Sequence, residues 1–480
     1  MRKIIFLLLL AIAGTIAFLM WAWSRPVGTS LQSAVVEQVA RNFIPNTTES
    51  SLVPKVLGFD QPQTYLVLFL NNTEIRPGGG FIGAYSVVRF TKGVPEILKV
   101  EGTEILDNNA PKDFVSVPPE PLQKFLKIDR LSFLDSNWSP DFASSSVAAL
   151  DLFKKEKGIS ADEIDGVIGI TPTFIEELIK ITGPITVGSE QYTAENFTEK
   201  LEYEVEYGFV DQGLNFDERK KVLNDLSHAL LARLRTNVFK NIPQYMQLVQ
   251  RMFEERHVMA YAQDGDVQKV IEARGWSGEM KSATTSADYI LWTDANMAAL
   301  KTDKVMQREL SYSIAPSGTE QYVGTIAMKY INTGSFTKFT TRYRTYVRLF
   351  VPEGSQFISV TGSMKTDRSA EPGTVDTGVE NGRRWFGTFI SIEPGKTGVL
   401  KWKIYLSPRI GDMIRKNYYS LDVQKQLGTI RHALTLDLNF GKDITSAVPE
   451  KEIKNQKQYM AATDLSVDRS FYLQFESAQP

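Results

Sequence analysis

The residues best suited to chemistry gather at Arg76-Pro77-Gly78-Gly79-Gly80. Three successive glycines carry no Cβ, so the backbone there is free to take positive φ and turn its N–H groups towards one anion. The planar guanidinium of Arg76 suits phosphate or carboxylate oxygens. The pattern predicts an anion- or pyrophosphate-binding turn formed by Arg76, Gly78, Gly79 and Gly80. The plain alternative is a tight turn whose glycines serve packing, with Arg76 a surface charge. A further cationic group, Arg219, Lys220 and Lys221, stands at the opening of a later helix. Basic residues there oppose the helix macrodipole, so they either pair with Asp217 and Glu218 or face a bound anion. Carboxylates follow the turn at Asp107, Asp129, Asp135 and Asp141. A loop carboxylate beside a phosphate-binding turn suits Mg2+, which takes one or two carboxylates plus substrate oxygens. The same aspartates also suit turns and helix caps, and Asp141 is placed to open a helix.

Composition narrows the choices. At 480 residues the chain exceeds one ordinary core, so two domains are expected. Lys and Arg number 54 against 56 Asp and Glu, and this balance lacks the basic footprint of nucleic-acid binding. With no cysteine, disulfides, thiolate metal sites and cysteine nucleophiles are excluded. The three histidines, His228, His257 and His432, are too scattered for a histidine-rich zinc site, and no G-x-S-x-G elbow accompanies them.

Arg2 and Lys3 precede Ile4 to Trp23, a stretch without charge and long enough as a helix to cross a hydrocarbon core about 30 Å thick. Basic residues on its leading side place the N-terminus inside and the remainder outside. Ala11-Ile12-Ala13 lies within the apolar run and Ser24-Arg25-Pro26 follows it, a pattern favouring an uncleaved anchor over a removed signal peptide. The expected location is therefore a single-pass cell-membrane protein with its bulk extracytoplasmic. Residues 1–25 form the anchor, and 26–59 a short juxtamembrane helix and linker. Leu31, Val35, Val39 and Phe43 mark that helix's apolar face.

Positioning of the turn falls to an α/β domain over 60–303. Tyr65 to Leu70 is an apolar run of the kind found in strands buried on both faces, and Phe81 to Phe90 and Ile97 to Val100 read as its successors. Ile164 to Ile170, a helix from Thr171-Pro172-Thr173 to Ile181, and Ile185 to Val187 form a strand-helix-strand unit. The period then changes. Residues 343–351, 400–406 and 434–440 alternate apolar and polar, with turns such as Glu393-Pro394-Gly395 between runs, predicting an all-β immunoglobulin-like sandwich over 304–445. Arg342, Arg344 and Arg348 fall on one face of such a strand, where they are either solvated or meet anionic polymer or lipid headgroups. Residues 446–480 read as a polar tail apart from Phe471 to Phe475, which either adds an edge strand or docks on the first domain.

Several motifs together carry a resemblance: Arg76-Pro77-Gly78-Gly79-Gly80-Phe81-Ile82-Gly83, Asn137-Trp138-Ser139-Pro140-Asp141-Phe142, Asp165-Gly166-Val167, Thr182-Gly183-Pro184, and Asp294-Ala295-Asn296 with Lys301-Thr302-Asp303. Over about residues 60 to 310 the chain resembles a bacterial envelope-anchored domain of unknown function, the 4012 family. More distantly, the order of elements is similar to the LytR-CpsA-Psr phosphotransferases, which move glycopolymers from a polyprenyl-pyrophosphate carrier to the cell wall. In that comparison Arg76 falls where those enzymes keep an arginine, and Asp217 and Arg219 fall near their helix-opening pair. Residues 101–107 lack their Pro-Arg-Asp triplet, and Lys221 stands near an expected glutamine.

Two functions follow. One is a binding protein of envelope or surface-glycopolymer assembly, with the bilayer as partner through its first helix and an anionic glycopolymer or polyprenyl-phosphate lipid as ligand. The other is a Mg2+-dependent glycopolymer phosphotransferase, with pyrophosphate held by Arg76, Gly78 to Gly80 and Arg219, and the metal on Asp107 or a neighbouring aspartate.

Overall fold

The computed structural model describes residues 33–34, 36–38, 41, 47–209, 213, 221–237, 241–283, 287–318, 321–450, 452–454 and 456–476. The expected anchor over 4–23, most of the juxtamembrane helix, and Asp217, Arg219 and Lys220 lie outside them. Among the described residues no helix is long and apolar enough to cross a membrane.

The chain divides into two units that are not contiguous in sequence. The first comprises residues up to 71, 81–117 and 130–279; the second comprises 72–80, 118–129 and 280–480.

In the first unit a five-stranded sheet runs in the order β3-β2-β1-β4-β7, formed by β1 (Gln63–Asn71), β2 (Phe81–Thr91), β3 (Val94–Gly102), β4 (Ile164–Ile170) and β7 (Val258–Ala262). Only β1 and β4 pair in parallel, the other neighbours being antiparallel. Ile185–Val187 is a strand as predicted, but as β5 it pairs with β6 (Glu190–Tyr192) in a separate hairpin rather than joining this sheet. A three-residue strand contributes too few ladder bonds to extend a sheet unless its side chains reach the core. Ile185 instead packs with Ile179, Tyr192 and Phe197 in a cluster of its own.

Five helices of this unit matter below. They are α1 (Thr103–Asn108), α2 (Phe142–Lys155), α3 (Pro172–Thr182), α4 (Lys221–Asn237) and α5 (Ile242–Glu254). Asp141 opens α2 as expected, its carboxylate accepting the Ser144 N–H at 2.8 Å. Pro172 occupies the first turn of α3, where its missing N–H leaves no bond unmade. The apolar faces of α3, α4 and α5 meet strand β7 through Leu178, Leu234, Tyr245, Leu248, Met252 and Val258.

The second unit consists mainly of two seven-stranded sheets. One is built from β9 (Met306–Pro316), β10 (Tyr322–Asn332), β12 (Gln356–Thr361), β15 (Thr397–Tyr405), β17 (Ala433–Asn439), β19 (Glu452–Lys454) and β20 (Gln458–Asp464). The other contains β8 (Asp288–Asn296), β11 (Tyr343–Pro352), β13 (Asp376–Glu380), β14 (Arg383–Ile392), β16 (Tyr418–Gln424), β18 (Ile444–Val448) and β21 (Arg469–Phe475). Side chains of both converge in one core that includes Trp292, Tyr312, Tyr330, Leu349, Trp402, Leu436 and Phe471.

Strands β15 and β17 alternate buried and exposed positions as predicted, with Leu400, Trp402 and Ile404 inside and Lys401 and Lys403 outside. Strand β11 does not. Eight of its last eight residues are buried, because it lies between β14 and β8 and is covered on both faces. Arg348 is therefore buried, held by Glu380 at 2.9 Å and lying over Phe350 and Trp385, rather than facing solvent. Residues 446–480 supply more than an edge strand, since β21 pairs with β16 on one side and β18 on the other.

Candidate functional site

The glycine turn belongs to the second unit. Arg76 is 4% exposed, and its Nη1 donates to the Asn296 carbonyl at 2.6 Å. Its Nη2 lies 3.6 Å from a Glu74 carboxylate oxygen, and Lys301 Nζ holds the other oxygen at 2.8 Å. Burial pushes the Glu74 carboxyl up, but the Lys301 and Arg76 charges outweigh it and hold it below the usual range.

The backbone on either side is also tied. Ile75 N–H donates to Asp303 and its carbonyl accepts the Asn296 N–H, while Gln426 Nε2 donates to the Arg76 carbonyl at 3.3 Å. Gly79 N–H closes the turn onto the Arg76 carbonyl at 3.0 Å, Gly78 forms a bridge with Leu427, and Asn72 donates to the Gly428 carbonyl. Gly79 and Gly80 do take positive φ, +118° and +144°, so the conformational reason for the glycines holds.

The arginine at the mouth of an anion turn is thus an internal tie. Its positive charge is opposed by Glu74, and the Gly79 amide that was to face a ligand bonds the chain itself. The structure brings together three motifs far apart in sequence: the Arg76 turn, Asp294-Ala295-Asn296, and Lys301-Thr302-Asp303. Sequence reasoning missed Gln426 and Gly428 on the other side of the turn. Their only local signal is a Gln-Leu-Gly-Thr step that reads as an ordinary loop.

Gly428 offers a direct test. At φ +75° a Cβ added there would meet the Gly79 carbonyl oxygen at 1.9 Å, backbone against backbone. Gly428→Ala is expected to destabilise the second unit by more than about 2 kcal/mol, combining left-handed strain with displacement of the turn. Urea unfolding followed by tryptophan fluorescence reads this directly, and a loss under about 0.5 kcal/mol would mean the turn is not locked in place.

Beside the turn lies a buried polar network that the sequence did not announce. Asp294, fully buried, accepts from Tyr330 at 2.6 Å, Thr345 at 3.1 Å and Arg308 at 3.0 Å. Arg308 also reaches Asp303 and donates to the Tyr343 hydroxyl at 2.7 Å. Gln426 bridges backbone here, accepting the Asp294 N–H and donating to its carbonyl. Burial pushes the Asp294 carboxyl up, with Arg308 pulling it down.

Asp107 lies in the first unit, at the end of α1, and is 5% exposed. Its carboxyl is pushed up to about 9, chiefly by burial, then by the neighbouring Glu156 and Asp135 carboxyls, with the Leu134 amide pulling the other way. Among the described residues no hydrogen-bond partner reaches either of its side-chain oxygens. Glu156 is anchored by the Phe133 N–H at 2.8 Å, and Tyr85, Phe133 and Phe153 form an aromatic cluster nearby in the same unit. A carboxyl buried beside other carboxyls in an apolar setting is held in its neutral, protonated form. Mg2+ needs near-octahedral oxygen ligands with waters retained, and among the described residues no three acidic or histidine side chains converge as a metal site. Arg76 and Gly78 to Gly80 belong to the second unit and Asp107 to the first, while Arg219 lies outside the described residues.

The fold is that of a two-unit protein, a mixed α/β sheet with helices and a pair of packed β-sheets. Residues 60–205 match the family described as Protein of unknown function (DUF4012). This stretch includes both excursions, 72–80 and 118–129, that fold with the second unit. No curated protein matches the chain. Among solved structures, it is similar to the Lin1025 protein from Listeria innocua at 14% identity, covering 45% of this chain and 78% of that one, with a TM-score of 0.24. Protein gbs0355 from Streptococcus agalactiae is similar at 11% identity, with 47% and 78% covered and a TM-score of 0.28. A putative nutrient binding protein from Legionella pneumophila stands at 8% identity, with 35% and 67% covered and a TM-score of 0.21. TM-scores this low define neither a common fold nor a common function.

Proposed function

We propose that the protein is a membrane-anchored, extracytoplasmic component of the bacterial cell envelope that acts by binding, in surface-glycopolymer assembly. In this reading the first unit is a LytR-CpsA-Psr-like scaffold and the paired sheets are an immunoglobulin-like module that presents or spaces it. One observation carries the choice of binding over transfer. Arg76, the residue a pyrophosphate-handling enzyme would aim at its substrate, is spent on Asn296 and Glu74. A guanidinium desolvated by its own protein stabilises the fold, whereas one that stabilises a transition state must meet the developing charge. The tether is supported by Arg2 and Lys3 ahead of the uncharged stretch Ile4 to Trp23.

Fusions of a folding-sensitive reporter after residue 60 test the location. Activity only outside the cytoplasm is expected, and activity confined to the cytosol overturns the proposal. The choice between binding and transfer is tested by incubating the full chain with a polyprenyl-pyrophosphate-linked glycan and Mg2+. The glycan is expected to be retained without release of polyprenyl phosphate; catalytic release would establish the phosphotransferase.

A further inference from the structure

The β11–β14 ladder ends where Pro352 pairs with Arg383, close to the first turn of a short helix, α6 (Pro408–Arg415). Pro352, Glu353, Gly382 and Arg383 from the strand ends, with Arg409 and Ile410 from the helix, line one recess of about 280 Å3, its mouth included. It lies wholly in the second unit and shares no residue with the Arg76 turn.

Arg383 is 2% exposed, its guanidinium 4.0 Å from the centroid of the Tyr289 ring and its Nη2 donating to the Lys281 and Ser282 carbonyls at 3.1 and 2.8 Å. These contacts orient the group but bring no countercharge, and its Nε has no hydrogen-bond partner among the described residues. The carboxylates whose charge reaches it are committed elsewhere, Asp422 to Lys281 at 2.5 Å and Asp288 to the Tyr312 and Tyr419 hydroxyls at 2.6 and 2.7 Å. Burial holds the Arg383 guanidinium below its ordinary value, and the like charge of Arg409 pushes the same way.

The helix end adds to the positive potential. Pro408 brings no N–H, the Ile410 N–H goes to the Ser407 carbonyl at 2.8 Å, and the Ser407 hydroxyl donates to the Glu353 carbonyl instead of capping the helix. Arg409, exposed in that first turn, opposes the helix dipole, and an anion between the two guanidinium groups and the helix end relieves all three at once. Glu353 brings one carboxylate to the same wall, outnumbered by two arginines. The enclosed part of the recess has room for about one water-sized group, which admits the head of a small oxyanion and not a sugar ring. Planar guanidinium forks and helix N-termini both favour phosphate oxygens.

We infer that this recess is a binding site for a phosphate group, held by the guanidinium groups of Arg383 and Arg409 at the uncapped start of α6. The site is independent of the envelope reading above and of the residues on which that reading rests.

The full chain in detergent micelles is titrated calorimetrically, at constant ionic strength, with inorganic phosphate, with glycerol phosphate as a lipid headgroup without its chains, and with chloride. Saturation at one phosphate per chain is expected, with no saturable heat from chloride. Arg409→Gln, at an exposed position, should weaken binding about tenfold, as for one lost hydrogen bond to a charged group. Glu353→Gln, also exposed, should tighten it about two- to fivefold by removing a like charge from the ligand's side. Arg383→Lys keeps the charge and loses the fork, and should weaken binding at least about threefold. Its unfolding temperature is measured alongside; if that falls, the two exposed variants carry the test. Tighter binding of glycerol phosphate points to a headgroup as the source, and tighter binding of inorganic phosphate to the free ion; either supports the site. Absence of saturable heat from both phosphates, equal binding of chloride, or affinities unchanged by Arg409→Gln and Glu353→Gln overturns the inference.

Discussion

Replacing Arg308 with leucine is expected to cost the second unit about 3–5 kcal/mol, the range for removing one partner of a buried ion pair. The side chain is 7% exposed and stands between Asp294 and Asp303, themselves 0% and 3% exposed. Without it two carboxylates are left facing each other across a dry interior, with only hydroxyls and amides for company. The network also fixes the neighbouring turn, since Asp303 holds the Ile75 N–H at 3.0 Å and the Asn296 side chain at 2.8 Å. Loosening it should therefore raise hydrogen exchange at Ile75 and Asn296 as well as lower the denaturation midpoint. Adding Asp294→Asn to Arg308→Leu should recover part of the loss, because one stranded charge is gone; the pair is then non-additive, as expected of contacting residues. A loss under about 1 kcal/mol for the single variant, or strict additivity in the double, would mean that water reaches the network.

Asp107→Asn is expected to stabilise the protein above neutrality and leave it nearly unchanged in acid. The folded carboxyl is pushed up to about 9 from its ordinary 3.8, so between those limits folding must take up a proton that the unfolded chain has released. Native protein binding more protons means stability falls as pH rises, from near pH 4 to near pH 9, and is full only below that window. Asparagine is close to the shape of the protonated acid and titrates nowhere, so it escapes this loss. At pH 4 the two proteins should agree within about 1 kcal/mol, and at pH 8 the variant should be the more stable by at least about 2 kcal/mol. Parallel stability–pH curves would contradict the raised Asp107 carboxyl. A Mg2+-dependent rise in the wild-type midpoint that Asp107→Asn loses would instead restore Asp107 as a metal ligand.

Much of the architecture was legible because it is local. Ile164 to Ile170 reads as a strand from its own apolar run, Asp141 as a cap from its place before Phe142, and β15 and β17 from a period of two. Strand β8 was less so. Asp294 and Asn296 make its sequence look half-polar, yet all nine residues from Asp288 to Asn296 are buried, their polar groups answered by Tyr330, Arg308 and Gln426. Patterning expects a polar residue to face water; it does not foresee a partner dozens of residues away.

The candidate site shows the same division. Residue types alone determined that Gly79 and Gly80 would bend the chain, that the chain carries no thiol chemistry, and that two kinds of sheet would form, because backbone freedom, composition and hydrophobic period act within a few neighbours. Whether Arg76 would meet a ligand or a carbonyl could be decided only by what the fold brings to its guanidinium. Asn296 lies 220 positions further along the chain, and desolvation by the surrounding unit, not the arginine itself, turned a candidate anion-binding group into a structural tie.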